Sequence, residues 1–265
     1  MTTLQDQVVW ITGASSGIGQ ALALVCAAQG AQVILSARRE DELKNVLQSL
    51  AQPKRHDYVL MDVTNEAQVL AAHQTVLQKK GRIDWLINNA GVSQRALISE
   101  TSMQTERKIM EVDYFGQVFL TKTVLPTLLA QGHGKIIFIS SVAGLVGTQY
   151  RASYAAAKAA IHMWANSLRA EVADQGLAVS VIFPGFVHTN VSLNALNGAG
   201  NPQAQQDSAI EQGLDANSFA KRAISAVLAG QDYIVIGGMK EKLGVALSRV
   251  APQLLYKMIR KVKVK

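Results

Sequence analysis

The chain has 265 residues, of which 49% are hydrophobic and only 17% are charged, so it can form a large core and is not a disordered segment. Its net charge of +7 comes from residues 239–265, where eight basic side chains accompany one acid, Glu241; charges balance in the rest of the chain, which argues against a nucleic-acid partner. A single cysteine, Cys26, excludes an internal disulfide and predicts a reducing, cytoplasmic setting.

Apolar runs rich in β-branched residues alternate with helical patterns along the chain. Strands are predicted at 7–12, 32–37, 58–63, 84–91 (running into a loop), 135–141, 177–185 and 232–237. Helices are predicted from a glycine turn through residue 28 and at 40–50, 65–80, 104–130, 153–175 and 216–229. Continuous apolar strands between helices predict a doubly wound, seven-stranded parallel sheet of Rossmann type with helices on both faces. The fold class is therefore single-domain α/β.

We assign residues 1–238 to this domain and treat two segments separately: the polar loop 188–215 and the basic tail 239–265. The N-terminal MTTLQDQVVWITG lacks a basic segment followed by a long apolar run, so no signal peptide is expected. No apolar stretch is long enough to cross a bilayer. Histidines occur singly, without metal-ligand spacing, and no metal site is predicted.

A glycine-rich turn, TGASSGIG at residues 12–19, follows the first strand. Gly13, Gly17 and Gly19 let the backbone turn tightly and let a pyrophosphate approach the N-terminus of the following helix. Ser15, Ser16 and Ile18 complete the predicted cradle. The spacing differs from G-x-G-x-x-G, and such glycines can be turn chemistry alone. Their place directly after the first strand favours a dinucleotide site.

Two arginines, Arg38 and Arg39, follow the second strand, where an acid would bind ribose hydroxyls and an arginine would accommodate a 2′-phosphate. Guanidinium groups pair well with phosphate, so the pair favours NADP(H) over NAD(H); the alternative is a solvated pair at a helix start. Asp62 and Val63, at the end of the third strand, are expected near the adenine. Asp62 could equally be the N-cap of the next helix.

The segment SYAAAKAAIHM, residues 153–163, places Tyr154 and Lys158 four positions apart in a predicted helix. Residues at i and i+4 lie one turn apart on the same face, so the two polar groups can reach one small volume. Taken alone, the pair could be a snorkelling lysine beside a half-buried tyrosine.

Five motifs occur in order: TGASSGIG, NNAG at 88–91, a serine ending the fifth strand, YAAAK, and PG at 184–185. Together, over roughly residues 7–237, they resemble the short-chain dehydrogenase/reductase family. Ser141 lies thirteen residues before Tyr154, as the family pattern requires, whereas Ser140 does not. The resemblance implies an oxidoreductase that moves a hydride between NADP(H) and a small-molecule ketone or secondary alcohol.

The resemblance also implies roles for the polar residues. Hydride transfer to a ketone leaves an alkoxide that needs a proton, which Tyr154 would supply. Lys158 would stabilise the phenolate and bind the nicotinamide ribose, and Ser141 would donate a hydrogen bond to the substrate oxygen. The cofactor cleft would be lined by Asn89, Ala90 and Gly91, with Pro184, Gly185, Val187 and Thr189 at the nicotinamide end. Thr189 could instead cap a lid helix.

One residue departs from the family pattern. Members usually have an asparagine in the middle of the helix after NNAG, where it holds a water in a proton relay to the lysine; here MEVDYFG has Asp113. An ionised carboxylate accepts hydrogen bonds but cannot donate them. Its charge would also weaken the effect of Lys158 on Tyr154. We predict an active relay with an altered pH profile.

The loop 188–215 lies where the family has its substrate lid. Val191, Leu193 and Leu196 could form an apolar wall, and no arginine cluster is present in the loop, which favours an apolar or lipid-like carbonyl substrate. The tail and PGFVHTNVSLNA together resemble the lipid-handling branch near acyl- and alkyl-dihydroxyacetone-phosphate reductases. A 3-oxoacyl-thioester reductase and a non-catalytic NADP(H) sensor or scaffold are the alternatives, although a sensor has no use for all three catalytic groups.

The tail after Pro252 has the pattern of a basic amphipathic helix, which predicts either contact with a membrane surface or packing against the body or another subunit. Its apolar residues are Leu254, Leu255, Met258, Ile259 and Val262. Family members are homodimers or homotetramers joined through the helices that include 104–130 and 153–175. Packing roles are predicted for Met103, Met110, Met163 and Trp164.

Overall fold

The computed structural model describes residues 3–260 and contains a seven-stranded parallel sheet in the order β3-β2-β1-β4-β5-β6-β7. The strands are β1 (Val8–Thr12), β2 (Gln32–Ala37), β3 (Asp57–Leu60), β4 (Trp85–Asn88), β5 (Gly134–Ile139), β6 (Leu177–Pro184) and β7 (Tyr233–Ile236). The chain places β2 and β3 on one side of β1 and then returns to place β4 to β7 on the other, so the carboxyl ends of β1 and β4 form a topological switch point. The predicted single-domain Rossmann fold is confirmed.

Ten α-helices surround the sheet within the described residues. They are α1 (Gly17–Ala28), α2 (Glu40–Ser49), α3 (Glu66–Lys80), α4 (Met103–Met110), α5 (Gly116–Gln131), α6 (Ala152–Glu171), α7 (Ser208–Glu211), α8 (Ala216–Leu228), α9 (Met239–Val250) and α10 (Pro252–Ile259). A π-helical turn, Glu111–Phe115, joins α4 to α5. None of these helices is both long and apolar enough to span a membrane.

The core lies on both faces of the sheet because successive strand residues point to opposite sides. In β1, Val9 and Ile11 pack under α1, α2 and α8, whereas Val8 and Trp10 pack under α3, α5 and α6. Trp10 is fully buried, and its indole N–H donates to Ser36 Oγ at 2.7 Å. Burial of each large side chain contributes about 1.5–3 kcal/mol, so this double layer holds the strand ends rigidly.

Two of the strands that end earlier than predicted, β3 and β5, place site residues in turns. β3 ends at Leu60, because the Asp62 carboxylate accepts bonds from Thr64 N (3.0 Å) and Thr64 Oγ1 (2.8 Å) and turns the chain out of the sheet. Asn65, not Asp62, caps α3 by accepting from Gln68 N at 3.0 Å. β5 ends at Ile139, so Ser141 lies in the following turn.

The predicted helix 104–130 is interrupted by the π-helical turn, and the predicted helix 153–175 ends at Glu171. The second helix has Val172 as its C-cap, and Gly176 then reverses the chain with a φ of +72°; its missing side chain admits the Gly132 carbonyl. The packing predicted for two methionines is wrong: Met103 and Met163 are each 62% exposed. Met110 is half-buried.

The tail begins as two helices that pack on the body. Val245 of α9 and Leu255 of α10 are buried, and the Arg249 guanidinium lies 4.5 Å from the centre of the Tyr233 ring. Leu254 and Met258 remain 51% and 46% exposed, so the predicted apolar face divides between the body and the surface. The predicted contribution of Val262 lies outside the described residues.

Candidate active site

A cleft of about 500 Å³ opens at the carboxyl edge of the sheet, where the turns after β1, β2, β4, β5 and β6 meet. Its lining includes nearly all the predicted site residues: Gly13, Ser15, Ser16, Gly17, Ile18, Arg38, Arg39, Asp62, Val63, Asn89, Ala90, Gly91, Ser141, Tyr154, Lys158, Pro184, Gly185, Val187 and Thr189. Gly19 and Asp113 lie behind the lining. Parallel strands bring these distant segments together because all seven end at the same edge.

The glycine turn has the backbone that its sequence predicts. Gly13 and Gly17 have φ values of +62° and +58°, a region that other residues rarely adopt. A side chain at Gly17 would contact Thr189 Cγ2, at 3.2 Å from its Cβ, so this turn meets the lid loop directly. No helix begins at Thr189, since the next helix is α7; Thr189 is therefore not a lid N-cap.

Gly19 packs closely against the turn behind the cleft lining, and its predicted place in the cofactor cradle stays a prediction. A Cβ there would lie 2.2 Å from Gly13 O and 2.5 Å from Asn89 Nδ2, so only glycine lets α1 approach the turn this closely. The Asn89 amide completes the arrangement by donating to Thr12 O (2.9 Å) and Gly13 O (3.2 Å). Thr12 Oγ1 accepts from Asn89 N and Ala90 N, both at 3.0 Å, which fastens the loop after β4 to the glycine turn.

The two arginines after β2 are exposed at the far end of the cleft. The Arg38 side chain is 75% exposed and lies 3.8 Å from Asp62 Oδ2, a carboxylate that the sequence did not place beside it. Arg39 donates to Ser15 Oγ at 3.3 Å and pairs with Glu42 at 2.6 Å. The Arg39 guanidinium therefore lies next to the glycine turn, whereas Arg38 lines the same cleft and makes a weak surface ion pair with Asp62.

Ser141, Tyr154 and Lys158, to which the resemblance assigns the chemistry, line the other end of the cleft. Ser141 Oγ accepts from Ala143 N at 3.1 Å, which leaves the hydroxyl proton free to donate into the cleft. Tyr154 is half-buried in the first turn of α6, and Lys158 Nζ lies 5.7 Å from the centre of its ring. Ser140 instead points inward and donates to Lys158 O at 2.8 Å, so it anchors α6 to the end of β5.

Lys158 is held by two oxygens below the cleft floor. Its ammonium donates to Ile139 O at 3.1 Å and lies 3.3 Å from Asp113 Oδ2. Asp113 projects from the π-helical turn, is fully buried, and accepts from Val92 N through Oδ1 at 2.7 Å. Burial raises the pKa of Asp113 above the usual carboxyl range, and the Lys158 charge opposes that effect. Gly91 leaves room for the pair, because a Cβ there would lie 3.1 Å from Lys158 Nζ.

Gln94 holds the start of α6, a role that sequence reasoning missed. Its side chain is fully buried, and its amide oxygen accepts from Ser153 N at 2.8 Å and Tyr154 N at 3.4 Å. Its amide nitrogen donates to Thr101 Oγ1 at 2.9 Å. Gln94 thus satisfies helix-terminal N–H groups sixty residues away, and no local pattern in the sequence signals such a cap.

A second missed feature is a buried cluster of two arginines and one acid. Arg95, in the loop after β4, donates to Asp207 of the lid loop through Nε (2.7 Å) and also through Nη2. Arg151, the residue before α6, lies 3.5 Å from the same carboxylate. Both arginines line the cleft. The loop 188–215 itself lacks arginines, but the fold supplies them from elsewhere.

The apolar wall predicted for the lid loop is present in part. Val191 and Leu196 line the cleft, and Leu193 is not part of the lining. Leu196 is anchored by its N–H, which donates to Ser93 O at 2.8 Å. Ile210 of α7 adds an apolar surface that the sequence did not indicate.

Comparison with known proteins identifies this arrangement. A family model described as "short chain dehydrogenase" matches residues 7–199. A curated relative from Danio rerio, "Dehydrogenase/reductase SDR family member 7B", is 38% identical over 263 residues, which cover 97% of this chain and 85% of the relative. The chain belongs to the short-chain dehydrogenase/reductase family.

Two further proteins are similar to this short-chain dehydrogenase/reductase over most of its length. "Dehydrogenase/reductase SDR family protein 7-like" of Drosophila melanogaster is 38% identical over 267 residues, covering 99% of this chain and 82% of the relative. A crystal structure of a short-chain dehydrogenase/reductase from Burkholderia phymatum in complex with NAD superposes with a TM-score of 0.85, at 25% identity over 96% of each chain. Neither relative's name states a substrate.

A short-chain dehydrogenase/reductase is an oxidoreductase with a nicotinamide cofactor, and the cleft of this member fits such a group. The glycine turn lines the cleft at the N-terminus of α1, where backbone N–H groups and the helix dipole favour a pyrophosphate. Within residues 3–260, no group of three or more potential ligands is arranged to hold a metal ion.

Proposed function

We propose that this oxidoreductase interconverts a ketone and a secondary alcohol with NADP(H), using Ser141, Tyr154 and Lys158. The observation that supports this most directly is the meeting of Tyr154 and Lys158 in the first turns of α6 with Ser141 after β5, in one cleft with the glycine turn. When bound, the nicotinamide supplies or accepts the hydride. The chain's own residues orient the substrate and move the proton.

Each catalytic group has a distinct task in this proposal. Ser141 donates its free hydroxyl proton to the carbonyl oxygen, which holds the substrate and stabilises the developing negative charge. Tyr154 transfers its phenolic proton to the same oxygen during reduction and takes it back during oxidation. Lys158, fixed by Ile139 O and Asp113, supplies the positive charge that stabilises the phenolate.

The preference for NADP(H) rests on the arginines after β2. Arg38 is exposed in the cleft lining and pairs only loosely with Asp62, so its guanidinium is available to a 2′-phosphate. Arg39 is tied to Ser15 and Glu42 and supports the same region. Asp62 lines the cleft in the turn after β3, and we propose that it lies beside the adenine.

The proposed substrate is a carbonyl compound with an apolar part, and the wall of Val191, Leu196 and Ile210 is the observation behind it. A 3-oxoacyl-thioester reductase uses the same groups and is the second candidate within this chemistry. A non-catalytic NADP(H) sensor is the candidate of another class. The buried Asp113–Lys158 pair departs from the family pattern, and it does not remove any reacting group.

The test is oxidation of NADPH, followed by absorbance, on a panel of apolar ketones and 3-oxoacyl thioesters. We expect turnover that falls by about 10²–10⁴-fold in Tyr154→Phe, which keeps the ring and removes the transferable proton. Tyr150→Phe, a neighbouring tyrosine outside the cleft lining, is the matched control. Tight NADPH binding with no turnover on any compound would establish the sensor instead.

For the tail and for assembly we make two subsidiary proposals. The described part of the tail carries Lys240, Lys242, Arg249, Lys257 and Arg260 against one acid, Glu241, next to exposed apolar side chains. Such a surface complements anionic lipid, so we propose a cytoplasmic protein that associates with membranes through its tail.

Exposed Phe115 and Met163, at 50% and 62%, mark the helices through which we expect a homodimer or homotetramer to form.

A further inference from the structure

The lid loop is closed on itself by two polar side chains, Ser192 and Gln206. The Ser192 hydroxyl donates to Gln206 Oε1 at 2.7 Å, and the Gln206 amide nitrogen donates to Thr189 O at 3.2 Å. The first contact joins residues 14 positions apart in the chain, and the second joins residues 17 positions apart. We call Ser192 and Gln206 the lid clasp, because together they connect the first part of the loop to its last part.

Ser192 is built into the interior of the loop. The residue is 0% exposed, although it carries a hydroxyl group. Its Oγ also accepts from Asp207 N at 3.3 Å, and its carbonyl accepts from the Gln203 side-chain amide at 2.7 Å. A buried polar group that loses its hydrogen-bond partners is costly, so these contacts favour one arrangement of the loop.

The clasp lies between the two halves of the cleft. On one side, Gln206 holds the carbonyl of Thr189, which the resemblance places at the nicotinamide end. On the other side, Ser192 holds the N–H of Asp207, whose carbonyl accepts from Ile210 N at 2.9 Å in the first turn of α7. Ile210 belongs to the apolar wall that we assign to the substrate. A continuous path of hydrogen bonds therefore joins a cofactor contact to a substrate contact.

We propose that Gln206 and Ser192 are positioning residues that make the cofactor side and the substrate side of the lid loop one unit. A nicotinamide group that contacts Thr189 then also fixes Ile210, so the bound cofactor sets the shape of the substrate wall. Neither clasp residue is part of the cleft lining, so both act through their neighbours. This inference rests on the proposed function, which puts the nicotinamide beside Thr189.

The test is hydrogen–deuterium exchange of the full chain, with and without NADPH or NADH, whichever binds more tightly. Peptides over Ser208–Glu211 report on α7, and peptides over residues 13–19 report on nucleotide binding itself. In the parent, we expect the nucleotide to slow exchange in both regions. In Gln206→Ala, exchange should still slow in the glycine turn but no longer in α7, because the link to Thr189 is gone.

Gln205→Ala is the matched control, since it removes an exposed neighbour of the same residue type, and it should behave like the parent. A nucleotide effect confined to the glycine turn in the parent would overturn the proposal. The same holds for a nucleotide effect on α7 in Gln206→Ala that equals the effect in the parent.

Gln206→Glu separates the two contacts of the clasp. Glutamate keeps an acceptor for Ser192 Oγ but cannot donate to Thr189 O. Exchange in α7 without nucleotide should therefore match the parent, while the effect of the nucleotide is lost. Ser192→Ala should instead raise exchange in α7 even without nucleotide, because it removes the acceptor for Asp207 N. Identical behaviour of Gln206→Glu and the parent would contradict a role for the link to Thr189.

Kinetics separate this role from a merely structural one. With the ketone of the panel that is reduced fastest, Gln206→Ala should raise KM about 3- to 10-fold and change kcat by less than about twofold, because the catalytic side chains stay in place. A fall in kcat with unchanged KM would indicate loss of folded enzyme and contradict the proposal. Because exchange needs no turnover, coupled protection without ketone reduction refutes the proposed reaction alone, and reduction without coupled protection refutes the clasp alone.

Discussion

The Lys158 ammonium lies 3.3 Å from Asp113 Oδ2, and the two side chains are 4% and 0% exposed. The ammonium to which we assign the stabilisation of the Tyr154 phenolate is thus paired with a buried carboxylate, in a position where the family pattern has a neutral amide. Removing a partner from such a pair changes the charge at the site without changing its shape, because asparagine is nearly isosteric with aspartate.

Asp113→Asn should move the pH dependence of alcohol oxidation to lower pH. The amide keeps an acceptor for Val92 N–H, and the full charge of Lys158 then stabilises the phenolate of Tyr154. The measurement is kcat/KM against pH in the oxidation direction, where the rising limb should appear earlier than in the parent. Asp232→Asn, which removes an exposed acid remote from the cleft, is the control. Superimposable curves for Asp113→Asn and parent would contradict the prediction.

Arg38→Gln should weaken NADPH binding about 10- to 100-fold while NADH binding changes little, because a charge-assisted contact to the 2′-phosphate contributes about 1.5–3 kcal/mol. Fluorescence titration with both nucleotides measures it. Arg222→Gln, an exposed arginine on α8 outside the cleft lining, should change neither affinity. An equal loss for both nucleotides would show that Arg38 does not read the 2′-position.

Gly19→Ala should lower the melting temperature by several degrees, because its Cβ would meet Gly13 O at 2.2 Å and the backbone must shift. Overpacking of this kind costs about 1–3 kcal/mol. Gly147→Ala is the matched control, since nothing lies within 4 Å of its Cβ. Thermal unfolding of both variants, with and without NADPH, checks the prediction. An unchanged melting temperature in Gly19→Ala would show that α1 can retreat from the turn without cost.

The tail should carry the full chain onto vesicles that contain anionic lipid, and less so at high salt. Replacing Leu254 and Met258 together by serine should leave the protein in the supernatant of a co-sedimentation experiment. Leu70→Ser, on α3 at 49% exposure against 51% for Leu254, is the control. Parent protein that pellets equally with and without vesicles would exclude membrane binding, and a changed native mass in the double variant would assign the surface to a neighbouring subunit.

The sequence correctly predicted the features that depend on one strand, one turn and one helix that follow each other in the chain. Gly13 and Gly17 have the positive φ values that a tight turn requires, and Tyr154 and Lys158 share a face because their spacing is one helical turn. Such features depend on local geometry, which residue type and spacing determine. The parallel sheet followed from the same alternation of apolar strands and helices.

Features that join distant segments could not be predicted from pattern. Gln94 caps a helix that begins 58 residues later, and Arg151 faces a carboxylate in the lid loop. Each is an ordinary polar residue until the fold places its partner. The π-helical turn around Asp113 is a similar case, because one extra residue in a turn changes where a side chain points without altering the apolar pattern that a helix shows.

The two ends of the nucleotide cradle differ in how firmly they are built into the molecule. Gly19 is locked between Gly13 and Asn89, whereas Arg38 stands at the rim with three quarters of its side chain in water. Substitutions at the rim therefore leave the fold's stability almost untouched. On the role proposed for Arg38, a change at this one solvent-facing residue would alter the nucleotide preference and leave the packing of the glycine turn intact.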